Sequence, residues 1–396
     1  MAGEAAVGAT VGGAVAGCTT SRRPAGGTGV PDLLLADTAA GLARIHGTVP
    51  QALGAGVPTP NPTRIYVAKQ VGGDTLLQTV DTATGQVSEH CLLAGRWVPR
   101  IISPDGHYVA LTAPGGNRYR PEGRERSTIV VADSTGERYR LDLAGNYEPD
   151  AFARDDTCLF VLEWLPPAQP DRYRVRMVEL INGGFAPMFT REKALVPVGS
   201  EEQMRGEGRQ AVFSPGAQTL YTLYTQPPAG QWASGESKAF VHTLDVSVGW
   251  AYCLDLPEPF GDGPAAGHTI AATPDGQALL VADLTSGRLA VADPQTLTVR
   301  TVATIPTGTG TACSVAAPDS KRLYLGSGTQ VRVVDLHSQT SRAWDAGGEV
   351  RGLAVSADSQ RLYVGYPDAV GWCSPVDGTP LGRIPVPGLR NLLVVV

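Results

Sequence analysis

An all-β fold, a single β-propeller built of four-stranded blades, is what this chain of 396 residues predicts. Three observations carry the expectation. A turn phrase recurs as Ser103-Pro104-Asp105-Gly106, Thr273-Pro274-Asp275-Gly276, Ala317-Pro318-Asp319-Ser320 and Ser356-Ala357-Asp358-Ser359, with worn copies at Ser214-Pro215-Gly216, Ala153-Arg154-Asp155-Asp156 and Thr59-Pro60-Asn61-Pro62. After each copy comes an apolar run closed by an acid, at Asp81, Asp133, Glu179, Asp245, Asp293, Asp335 and Asp377. Long amphipathic helical stretches are absent. Two phrases alternating seven times mark a repeat architecture with one supersecondary unit per repeat.

Along the chain, residues 1–30 stand apart. Residues 5–17 are mostly Ala and Gly, and Thr19 to Gly29 is a tether rich in small and polar residues. Val15-Ala16-Gly17-Cys18 resembles a bacterial lipobox, which implies lipidation at Cys18, an extracytoplasmic address and attachment through acyl chains rather than a spanning helix. The alternative is a plain Ala/Gly tail on a cytoplasmic protein. No apolar run reaches the ~18–20 residues that cross a bilayer.

Residues 31–396 form the propeller domain. Leu33 to Asp37 matches the third-strand pattern Leu289 to Asp293, while Leu389 to Val394 matches the first-strand pattern Val350 to Val355. The N-terminus is therefore expected to give third and fourth strands, and the C-terminus a first strand, to one split blade that closes the ring and removes exposed sheet edges. Each full repeat divides into four strands. Around Asp319 these are Cys313 to Ala317, Arg322 to Gly326, Val331 to Asp335 and Ser341 to Trp344. The runs are short and rich in β-branched and aromatic residues. Pro-Asp-Gly suits a tight turn: proline presets φ, aspartate accepts from nearby N–H groups and glycine takes positive φ. Over residues 31–396, seven blades average about 52 residues and eight about 46, against the usual ~40–50. Eight is the count preferred, with seven complete repeats and the split blade.

Leu280 to Asp283 through Val299 to Pro306, and Leu362 to Gly365 through Ile384 to Val386, resemble the YVTN-type repeats of bacterial surface and lactonase-like propellers. The resemblance implies a rigid ring, often extracellular, used for binding or as an enzyme scaffold. The WD40 signature is missing, since Trp344-Asp345 has no Gly-His partner.

Composition narrows the function. The net charge of −6 argues against a surface for nucleic acid. No Walker A loop, GxGxxG, HExxH or GxSxG occurs, and no two of the six histidines lie at metal-ligand spacing. No cofactor and no metal are expected. The five cysteines after Cys18 include no CxxC pair and suit small buried positions. The acids that end the third strands are expected to be turn formers.

The long connections break the repeat. They lie at 113–127, 165–172 and 226–238 between second and third strands, and at 191–210 and 256–268 between blades. In a four-stranded meander all five emerge on one face, over blades 2 to 5, and one-sided insertions mark a binding surface. Arg118, Tyr119, Arg120, Arg124 and Arg126 suit recognition of a carboxylate, phosphate or sugar edge. Trp164 and Trp232 offer flat apolar contact. Arg205 lies among Glu201, Glu202 and Arg209, a group that a solvated loop would explain equally well. His268 is the candidate acid–base group of a lactonase- or hydrolase-like alternative. The candidate ligand-binding set is thus Arg118, Arg120, Arg124, Trp164, Arg205, Trp232 and His268. The expected partner is a protein or glycan on the long-loop face of a monomer.

Overall fold

The repeated turn phrase folds as its chemistry dictates. The Ser103 hydroxyl donates to Asp105 Oδ1 at 2.6 Å, which also accepts the His107 N–H at 2.9 Å, while the Tyr108 N–H returns to Ser103 Oγ at 2.9 Å. Thr273 with Asp275 and Ser356 with Asp358 repeat this network. The acids closing the apolar runs cap the next turn. Asp293 Oδ1 accepts from the N–H groups of Gln295 and Thr296, and Asp335 Oδ1 from those of His337 and Ser338.

These turns join antiparallel strands into a β-propeller, seen in a computed structural model that describes residues 29–58, 63–117, 119–225 and 237–396. The turn copy at 59–62 lies outside the described residues. Blade 6 consists of Cys313–Ala316, Arg322–Ser327, Gln330–Asp335 and Ser341–Asp345, in that order across the sheet. Blades 2, 3, 5 and 7 have the same four-stranded order, beginning at Val98–Ile102, Asn146–Phe152, His268–Ala272 and Gly352–Val355. Blade 4 begins at Glu207–Phe213, and its outer edge Trp250–Asp255 gains two short strands, Met188–Phe189 and Leu195–Val196. Among the described residues the only helix is the single turn Ala265–Gly267.

The chain termini share one sheet. Leu389–Val395 pairs with Val30–Thr38, which pairs with Gly41–Gly47. The C-terminal strand thus takes the first position, as expected. The N-terminal strand takes the second position rather than the third, and the second strand missing from the expected split blade is this one. An apolar run closed by an acid occurs in second and third strands alike, as Leu279–Asp283 shows beside Arg288–Asp293, so the pattern alone could not separate them. Gln51–Pro58 serves two units: Gln51 to Gly54 pairs with Gly41–Gly47, and Ala55 to Pro58 with Arg64–Val71. The closing unit and blade 1 are therefore one seven-stranded sheet, and the choice between seven and eight blades turns on this shared strand.

First strands of neighbouring blades run side by side around most of the ring. Gly352 permits this at the closure, because a β-carbon there would come within 2.5 Å of the Leu392 backbone nitrogen. Apolar clusters fill the spaces between blades. The seam between blades 3 and 4 differs. Its first strands approach less closely than those from blade 1 to blade 3 or from blade 4 to blade 7, and side chains bridge them.

Candidate functional site

That seam opens into a pocket of about 690 Å³ on the long-loop face. Asn117, Tyr119 and Arg120 come from the long connection of blade 2, and Trp164, Asp171 and Tyr173 from the ends of two blade 3 strands and their connection. Arg205, Arg209, Gln210 and Tyr224 supply the blade 4 side. Backbone bonds hold the loops in place: the Arg124 N–H donates to the Pro167 carbonyl at 2.9 Å, and Tyr173 and Met204 exchange N–H bonds at 2.9 and 2.7 Å.

Arg209 forms the floor. Its guanidinium pairs with Asp150, lies 4.3 Å from the Tyr119 ring centroid and donates through Nε to the Tyr224 hydroxyl at 2.9 Å. Both charged side chains are 5 % exposed. Burial opposes the Arg209 charge, but Asp150 and Tyr224 outweigh it and raise its pKa. An aromatic ladder forms one wall, with centroid separations of 5.1 Å from Trp164 to Tyr173, 5.2 Å from Tyr173 to Tyr224 and 5.3 Å from Tyr224 to Phe240. The Trp164 indole Nε1 has no hydrogen-bond partner among the described residues. Three guanidiniums and one carboxylate, Asp171, line the space, with Asp171 3.9 Å from Arg205. The arrangement can take an anionic group against Arg120 and Arg205 and a flat body against the rings.

Of the residues singled out in the sequence, Arg120, Trp164 and Arg205 line this pocket together. Arg118, Trp232 and Cys18 lie outside the described residues. Arg124 belongs elsewhere. It donates to Glu148 Oε1 at 2.7 Å, Ser127 Oγ at 2.9 Å and the Tyr147 carbonyl, and lines a separate pocket of about 210 Å³. Because Glu148 is buried, Arg124 is structural rather than a free ligand contact.

His268 does not line this pocket either. It is 0 % exposed, with the Gly261 N–H 3.0 Å from Nε2 and the Pro264 carbonyl 3.2 Å from Nδ1. Both ring nitrogens thus face the connection between blades 4 and 5, and Nε2 also stands 3.5 Å from Oδ2 of buried Asp283. The group of Glu201, Glu202, Arg205 and Arg209 divides. Glu202 is exposed, whereas buried Glu201 pairs with Arg174 at 3.5 Å and Arg176 at 3.4 Å. Tyr173, Tyr224 and Asp150 were not legible, because each sits inside a strand pattern that core packing explains equally well. Among the described residues no three His, Cys, Asp or Glu side chains converge on one point.

No protein-family model and no curated protein sequence matches this chain. Solved structures match it in fold. Apo AztD from Citrobacter koseri superposes with a TM-score of 0.55 at 14 % identity, over 92 % of this chain and 97 % of AztD. Dihydro-heme d1 dehydrogenase NirN, in complex with DHE, gives 0.55 at 11 % identity over 94 % of this chain and 76 % of NirN. A eukaryotic initiation factor gives 0.50 at 13 % identity, over 91 % of this chain and 96 % of that one. At such identities the likeness is one of architecture, and it agrees with the strand order: this chain is a β-propeller.

Proposed function

We propose that the protein is a binding propeller whose long-loop pocket holds an anionic ligand with a flat or ring-shaped body, presented by a protein or glycan partner. The observation that carries this reading is the convergence of Arg120, Arg205 and Arg209 with Tyr119, Trp164, Tyr173 and Tyr224 around one pocket. Arginine provides planar donors for carboxylate or phosphate, and rings provide stacking surface at small entropic cost. The ionisable side chains lining the pocket are arginines, tyrosines and Asp171, and His268 is sealed away, so binding is placed ahead of hydrolysis. The YVTN-like repeats and lipobox-like Val15 to Cys18 favour a tethered, extracytoplasmic location. Among the described residues no helix is long and apolar enough to cross a membrane.

The test is an array of acidic glycans and acidic peptides, followed by calorimetry on the hits. Arg120→Ala and Arg205→Ala should each weaken binding about 10- to 100-fold, the equivalent of a charge-assisted hydrogen bond of about 1.5–3 kcal/mol. Gln277→Glu and Gln360→Glu, in turns of the opposite face, should leave it unchanged. Loss in the opposite-face variants with retention in the arginine variants would overturn the assignment. Tethering is tested separately: the wild type should partition into detergent and Cys18→Ser should not.

A further inference from the structure

A second cavity, of about 260 Å³, lies where the 188–204 segment covers blade 4, apart from the long-loop pocket. His242, Cys253, Met188 and Met204 are in its wall. His242 and Cys253 are direct partners in the antiparallel pairing of Ala239–Asp245 with Trp250–Asp255. Their side chains therefore leave the same sheet face, with β-carbons about 4.5–5.5 Å apart. Met188 and Met204 are buried across from them, in the apolar cluster that joins blades 3 and 4.

His242 is the anomaly. It is 5 % exposed, and its imidazole makes no hydrogen bond or ion pair among the described residues. A buried polar group without a partner costs stability, which makes such groups rare. The Cys253 thiol stands opposite it across the strand pair. An imidazole, a thiol and two thioethers are all soft or borderline donors.

We propose that His242 and Cys253, together with a thioether of Met188 or Met204, form a site for a soft monovalent cation, Cu(I) being the biological case. The remaining donors decide the metal. A Zn²⁺ site takes four ligands, commonly thiolate, imidazole or carboxylate. Here Glu201 is engaged by Arg174 and Arg176, and although Glu202 also lines the cavity, no group of three His, Cys, Asp or Glu that could hold a metal forms among the described residues. Thioethers remain, and thiolate with thioether selects Cu(I). Binding exchanges the thiol proton for the cation. The proton leaves past Glu202, whose Oε2 stands 4.0 Å from the sulfur.

The experiment is an anaerobic titration of the full chain with Cu(I) against bicinchoninate, with X-ray absorption of the loaded wild type. Wild type should hold a Cu(I) that Cys253→Ser and His242→Gln bind at least about 10- to 100-fold more weakly, the size expected when support of a metal is altered. Cys158→Ser, in the half-buried cysteine of another blade, should retain it. The absorption spectrum should show nitrogen and sulfur together. His242→Gln binding as tightly as wild type, a shell of sulfur alone, or Zn²⁺ displacing Cu(I) at equal concentration would each overturn the site. Should either variant fail to fold by circular dichroism, the wild-type spectrum and the double variant Met188→Leu, Met204→Leu decide. Unchanged affinity in that double variant would remove the thioether.

Discussion

Asp156 shows how much one turn residue depends on its neighbour across a blade seam. It sits at φ 56° in the turn between the first two strands of blade 3, a left-handed position that Asp and Asn tolerate best among non-glycine residues. Burial, and then the charge of Asp105 in the matching turn of blade 2, push its pKa up to about 7. Its folded pKa lies above the unfolded value, so between about pH 4 and 7 the folded state binds more protons. Stability from this group is therefore present at low pH and lost as pH rises towards 7. Asp156→Asn keeps the turn and removes the charge. Its urea midpoint should exceed that of wild type at pH 8 and match it near pH 4, and an equal gap at both pH values would contradict the account. That Arg120, Arg205 and Trp164 would come together on the long-loop face was legible, because position in or beside the long connections and residue type pointed the same way. The roles of Arg124 and His268 were not: Glu148 and Gly261 decide them, and neither contact leaves a periodic trace in sequence.

At the scale of elements, strand and turn chemistry was largely legible. In blade 6 the strands expected from sequence differ from the observed ones by a residue at most at each end. Leu195–Val196 falls inside the connection read at 191–210 and Met188–Phe189 just before it; neither was legible as a strand, since two residues give no periodicity and their pairing is to another blade. The turn network itself can be edited. Thr273 is buried, and its hydroxyl both donates to Asp275 at 2.7 Å and accepts the Ala278 N–H at 2.9 Å. Blade 6 carries Ala317 at the matching place, where Asp319 retains only the backbone contact from Lys321 at 3.0 Å and an ion pair with Arg322 at 3.4 Å. Thr273→Ala should destabilise by about 1–2 kcal/mol, and Ala317→Ser should stabilise by about 0.5–1 kcal/mol by restoring the missing hydroxyl. Chemical denaturation of both variants checks the pair. An Ala317→Ser variant less stable than wild type would mean the blade 6 turn has no room for the hydroxyl.

For the whole molecule, closure of the ring by the two termini is expected to set cooperativity. Leu389–Val395 supplies the ladder partner of Val30–Thr38, the Val396 N–H donates to the Leu33 carbonyl at 2.8 Å, and the Ala39 N–H donates to the Gly388 carbonyl at 2.8 Å. Leu34, Ala36 and Ile45 then pack with Tyr363, Trp372, Leu389 and Leu392 in the cluster that joins the termini to blade 7. A polar latch reinforces it: Asp32 accepts from the Tyr363 hydroxyl at 2.5 Å and from Arg361 Nε at 2.9 Å. Removing residues 389–396 strips the first strand from the closing sheet and exposes both an unpaired edge and this apolar face. The truncated chain should lose the single sharp transition of the parent, melt in stages and bind a hydrophobic dye well below the parent midpoint. Asp32→Asn tests the latch with every strand retained. It weakens charge-assisted hydrogen bonds that are only partly buried, so a loss of about 1–2 kcal/mol with cooperativity preserved is expected. A truncated chain that melts as one unit at the parent temperature would show that the ring holds without its C-terminal strand, and cooperativity would then have to reside in the seams between complete blades.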